Sequence, residues 1–144
     1  MHIQKEVNPA LNTVTAYGDD YIEINQTRHT QSIYFTPEGQ IHGLGIQNPS
    51  DFTTDVLQKI TGLKATKPDA LAFLDNNTPS FENPEQIELV LIGTGSRQQF
   101  LSPRLTHFLL SAGIGVEVMD SQAAARTYNI LMSEGRRVVA ALII

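Results

Sequence analysis

From Ile87 to Ile144 the chain alternates apolar runs with amphipathic stretches, and glycines or polar turn residues separate them. That pattern constrains the fold more than any other feature. Ile87-Glu88-Leu89-Val90-Leu91-Ile92 is nearly continuous in apolar character, as expected of a strand covered on both faces. Strands joined through helices lie parallel, because such a crossover returns the chain in the same direction. Ser102 and Pro103 then form a cap and first-turn pair. Leu105, Phe108, Leu109 and Ala112 recur at the spacing of one buried helix face. Gly113 stops that helix, Ile114 to Met119 makes a second strand, and Asp120 or Ser121 caps a second helix. Its buried stripe is Ala124, Tyr128, Leu131 and Met132; Gly135 ends it. Val138 to Ile143 is the last strand, and its hydrophobicity places it centrally in the sheet. The unit is a parallel β-α-β-α-β arrangement.

The first half reads differently. Thr13 to Tyr17 and Tyr21 to Ile24 flank Gly18-Asp19-Asp20, which signals a hairpin. Gln31 to Phe35 is another strand, Pro37-Glu38-Gly39 a turn, and Gln40 to Gly43 a short return strand. Asp51 is expected to cap a helix through Ile60, with Val56, Leu57 and Ile60 on one face and Gly62 at its end. Between Thr61 and Pro84, prolines and asparagines interrupt the chain, and Pro68 would open a short helix through Leu74. The expected class is α/β: a mixed central sheet with N-terminal antiparallel hairpins, layered with helices, in one domain over residues 1–144.

Composition narrows the function classes. A net charge of −5 disfavours nucleic acid and anionic membrane as partners. With no cysteine, disulfides, thiolate metal sites and thiol nucleophiles are excluded. The segment Met1-His2-Ile3-Gln4-Lys5-Glu6 lacks the apolar core of a secretory signal, and Val138 to Ile144 is too short to span a bilayer. The expectation is a cytoplasmic protein without membrane insertion.

Open α/β sheets bind ligands at the carboxyl ends of their strands. That directs attention to Gly93-Thr94-Gly95-Ser96-Arg97. Two glycines let backbone N–H groups turn toward an anion, with Ser96, Arg97 and Arg104 as further donors. An arginine in a first helical turn opposes the helix dipole unless an anion offsets it. The same glycines serve equally well to make a tight strand-to-loop turn. The dinucleotide fingerprint is broken, because Gln98 stands where its third glycine would be. Asp120, at the end of the second strand, is the one candidate general base. Gln122, Arg126, Asn129 and Ser133 share a face of the second helix, which serves either as a partner surface or as an ordinary solvated face. Glu134-Gly135-Arg136-Arg137 lies at the opposite end of the sheet and reads as helix-end chemistry. The histidines at 2, 29, 42 and 107 have no zinc-ligand spacing. No metal or cofactor is expected.

The order and spacing of several C-terminal motifs carry a resemblance. They are Gly93-Thr94-Gly95; Gly113-Ile114 with Val116-Glu117-Val118 and Asp120; Thr127-Tyr128-Asn129 with Leu131; and Glu134-Gly135-Arg136 with Ala140 to Ile143. Together they resemble a small domain family of largely unknown function. It includes the mitochondrial NADH:ubiquinone oxidoreductase complex assembly factor 3 and an adipogenesis-associated domain protein. The resemblance implies a compact α/β domain and no established enzyme activity. It also implies a protein partner in a respiratory or membrane complex.

Two functions follow as expectations. The first is a non-enzymatic binding or assembly module, recognising a protein or a small anion beside residues 93–97, Asp120 and the start of the second helix. The alternative is an enzyme acting on a small anionic substrate, with Arg97 and Arg104 holding charge and Asp120 as base. It requires those groups to converge on one pocket.

Overall fold

The computed structural model describes residues 11–66 and 80–144. The strands are β1 (Val14–Tyr17), β2 (Ile22–Ile24), β3 (Thr27–His29), β4 (Ile33–Phe35), β5 (His42–Gly43), β6 (Lys64–Ala65), β7 (Phe81–Glu82), β8 (Leu89–Gly93), β9 (Gly115–Met119) and β10 (Val138–Leu142). The helices are α1 (Thr54–Thr61), α2 (Pro103–Ser111) and α3 (Ser121–Ser133).

The main sheet has five strands in the order β5-β4-β10-β8-β9. β8 is parallel to both β9 and β10, whereas β4 is antiparallel to β10. The α/β class with a mixed sheet and N-terminal hairpins is therefore the observed architecture. β10 lies at the centre, and all five of its residues are buried. It bridges the antiparallel and parallel halves.

Side-chain alternation along β8 and β10 splits the core in two. Val90, Ile92, Val139 and Ala141 face α1 and α2, packing with Leu57, Ile60, Leu105 and Leu109. Leu91, Val138, Ala140 and Leu142 face the other way, onto Ala124, Ala125 and Tyr128 of α3 and onto Val14, Ile22 and Ile24. Burial on both faces explains why these strands lack polar alternation. β1, β2 and β3 form a separate antiparallel sheet that shares the second core.

Several local expectations change. β3 is an additional strand, reached through Asn25 and Gln26, which both have positive φ, 53° and 68°. Two consecutive left-handed residues make the type I′ turn that a two-residue hairpin favours. Asp51 does not cap α1. Asn48-Pro49 starts a short 3₁₀ turn over Pro49–Asp51, and buried Phe52 leaves it in extended conformation. The cap is Thr53, whose hydroxyl accepts from the Val56 N–H at 3.2 Å. Ser102 occupies the cap position of α2 without a side-chain cap bond, and Pro103 opens the helix. The short helix expected from Pro68 to Leu74 lies outside the described residues.

Candidate functional site

The β8-to-α2 segment begins at the end of a buried strand and passes directly beneath the start of α3. Gly93 is there because nothing larger fits. A Cβ at this position would lie 2.7 Å from Ser121 Oγ and 2.9 Å from Leu142 Cδ2. Gly95 follows with φ of +97°, a left-handed value suited to glycine.

Most polar groups of this junction already have partners. The Gly95 N–H donates to Ser121 Oγ at 2.8 Å, and the Ser121 N–H donates back to Gly95 O at 2.9 Å. Ser121 Oγ donates in turn to Ile143 O at 2.6 Å, and the Ile143 N–H donates to Gly93 O at 3.0 Å. The Thr94 N–H donates to Met119 O at 2.8 Å. Thr94 Oγ1 donates to Arg97 O at 2.6 Å and accepts from the Gln99 N–H at 3.1 Å. Gly93, Thr94 and Gly95 thus tie the ends of β8, β9 and β10 to the first turn of α3. Ser96, Arg97 and Arg104 are exposed. The crevice beside Gly95 and Ser96 has a volume of only about 30 Å³ and is also lined by the carboxylate-bearing Asp19.

Asp120 is the cap of α3: its Oδ1 accepts from the Ala123 N–H at 2.8 Å. A carboxylate held in this way satisfies a helix-end donor. Asp120 is not among the residues lining the crevice. The convergence on one pocket that a general base would need is not what the carboxylate's bonds provide.

Three residues of the polar stripe of α3 bond to β1 or the turn after it, while Arg126 and Ser133 are exposed. Asn129 accepts from the Val14 N–H at 2.9 Å through Oδ1 and donates to Val14 O at 2.8 Å through Nδ2. Its amide stands in for a neighbouring strand at the edge of β1. Arg126 donates to the Tyr17 hydroxyl at 3.0 Å, and Gln122 donates to Asp19 at 3.4 Å. Ser133 bonds within its own helix, to Ile130 O. Tyr128 is fully buried and donates to Asn12 O at 2.7 Å; burial pushes its phenol well above the usual range. The stripe is therefore partly a seam with β1 and partly an exposed face.

At the opposite end of the sheet lies a larger cleft of about 490 Å³, which no sequence motif marks. Tyr34, Phe35, Ile60, Ile87 and Val138 supply apolar walls, and Lys59, Arg136 and Arg137 supply charge. Both arginines already have partners. Arg136 pairs with Glu88 at 2.7 Å, Arg137 donates to Glu85 O at 2.8 Å, and Lys59 sits in the last turn of α1. The Arg136 hydrogen bond, aided by the Arg137 N–H, holds the Glu88 carboxyl below its ordinary value. Among the described residues no cluster of three His, Asp or Glu side chains comes together as a metal site, and no helix is long and apolar enough to cross a membrane.

A family described as a protein of unknown function (DUF498/DUF598) matches residues 14–143. The chain belongs to this family. Its fold resembles a crystal structure from Bordetella parapertussis at 48% identity and a TM-score of 0.75, covering 93% of this chain and 96% of that one. A solution structure from Bordetella pertussis, described as an Mth938-like domain, is 50% identical with a TM-score of 0.74, over 99% and 92% of the two chains. Among named relatives, NADH dehydrogenase [ubiquinone] 1 alpha subcomplex assembly factor 3 of Xenopus tropicalis is 43% identical over 58 residues, 40% of this chain. That match spans 32% of the relative's length. The human protein of the same name is also 43% identical over 58 residues.

Proposed function

We propose that this chain is a non-enzymatic binding module that takes part in assembling a respiratory complex. The observation that carries the reading is the 43% identity, over 58 residues, with relatives named as assembly factors of NADH dehydrogenase. Two features of the site support it. The glycine junction spends its backbone groups on holding strands together, and Asp120 spends its carboxylate on a helix cap. A protein of this kind works through its surface, with its interior devoted to keeping that surface in shape.

The test is to purify the tagged protein gently from its respiring host and to identify co-purifying polypeptides. Stoichiometric recovery of respiratory-complex subunits, together with loss of assembled complex on deletion of the gene, is the expected result. A deletion strain with normal levels and activity of the complex would overturn the proposal.

A further inference from the structure

The outer edge of the main sheet is β9. In a parallel ladder, alternate residues bond to the neighbouring strand and the residues between them turn away. The Gly115 N–H donates to Glu88 O, and Met119 O accepts from the Thr94 N–H. Gly115, Glu117 and Met119 thus face β8, so the backbone groups of Val116 and Val118 face outward. Among the described residues no strand pairs with that edge. One of the outward groups has a substitute partner: Gln98 Nε2 donates to Val118 O at 3.3 Å. This bond ties Gln98, three residues past Gly95, to the edge. Phe100, two residues on, is 95% exposed, the most exposed large apolar side chain among the described residues. Leu110 on α2 is 60% exposed.

An unpaired edge is normally protected by charge, a bulge or a cover. Here it carries one glutamate, Glu117, and a weak side-chain bond from Gln98, two residues before the bare ring of Phe100. Aromatic residues and arginine are enriched at protein interfaces relative to the rest of the surface. Arg97 and Arg104 flank Phe100 in sequence and are exposed, and the single ion pair among the described residues lies elsewhere, between Arg136 and Glu88.

Resting on the binding-module reading, we infer that the outer edge of β9 receives an extended segment of a partner protein as a sixth strand. The segment pairs with the N–H and C=O groups of Val116 and Val118, displacing Gln98 from Val118 O. Its apolar residues cover Phe100, and its acidic residues meet Arg97 and Arg104. Strand addition of this kind draws affinity from main-chain bonds and specificity from flanking side chains.

The test is an NMR titration of isotope-labelled full chain with a short synthetic peptide alternating valine and glutamate, N-methylated along one edge so that it cannot stack on itself. Saturable shifts at the Val116 and Val118 amides are expected, with their solvent exchange slowed on the order of tenfold. Phe100→Ser and Arg97→Glu should each weaken binding about tenfold, and a valine–lysine peptide should bind more weakly than the acidic one. Gln98→Ala, which removes the competing bond, should tighten it. Equal binding of the lysine peptide, indifference to Phe100→Ser, or the absence of shifts at these two amides would overturn the inference. So would protection of these amides without peptide; protection that grows with protein concentration would make a second copy the occupant. If the peptide fails while respiratory-complex subunits still co-purify, the edge is wrong and the assembly reading stands. If the peptide binds as described but the deletion strain assembles its complex normally, the edge stands and the assembly reading falls.

Discussion

Two places near the same end of the main sheet make opposite use of their backbone. At the glycine junction, N–H and C=O groups of residues 93–95 are bonded to Ser121, Met119 and Ile143. Along the outside of β9, backbone groups of Val116 and Val118 have only one side chain, Gln98, as a described partner. Glycines after a buried strand draw attention as a binding motif, yet here they are where the chain is most tightly fastened. The edge strand carries no binding motif, yet among the described residues it is where the polar backbone is left over. Surplus hydrogen-bonding capacity, rather than glycine content, separates the two.

The sharpest way to break this contrast is Gly93→Val. The added side chain would meet Ser121 and Leu142 at under 3 Å, and it should cost about 3 kcal/mol or more. Urea unfolding measures it; a midpoint like that of the wild type would mean that the junction is not tight. Asn129→Leu comes next, at about 2 kcal/mol, because it strands the Val14 N–H and C=O at the edge of β1. Amide exchange should quicken in β1 to β3 while β8 and β10 keep their protection, and a uniform increase would argue against the small sheet being held separately. Asp120→Ala should remove about 1 kcal/mol, the ordinary worth of a cap, and leave peptide binding at the β9 edge unchanged. A loss of that binding would tie the cap to the edge.

The smallest effect at neutral pH belongs to Tyr128. Its phenol is raised by burial, whereas in the unfolded chain it titrates near its usual value of about 10. Its contribution to stability is therefore complete below about pH 10 and is lost as pH rises through the folded value. Unfolding midpoints measured up to alkaline pH should fall more steeply for the wild type than for Tyr128→Phe. Parallel curves would mean that the hydroxyl is not buried as described.

The parallel unit was legible because burial on both faces leaves continuous apolar runs. Val138 to Leu142 could be placed at the centre from residue type alone, and that is where β10 lies. β3 escaped notice because its turn, Asn25-Gln26, lacks the glycine that usually marks two left-handed positions. The start of α1 was misplaced because Asp51 and Thr53 are both plausible caps, and only the buried Phe52 between them decides. For the site, the sequence located the glycine junction and the polar face of α3. It did not reveal that Ser121 and Val14 would consume their hydrogen bonds, since those partners lie far away along the chain. Nor does any local pattern show which strand will stand at an edge.

The central position of β10 has a consequence for how the protein is made. β4 and β8 do not pair with each other; each pairs with β10, β4 through the pairs Phe35–Ala140, Tyr34–Ala141 and Ile33–Leu142. On the ribosome, the hairpins of the first half emerge long before the strand that unites them with β8. Until Leu142 is released, two apolar strand faces wait without a neighbour, and such intermediates are the ones that aggregate or require a chaperone. Of the described strands, the last in chain order is therefore the one that closes the sheet.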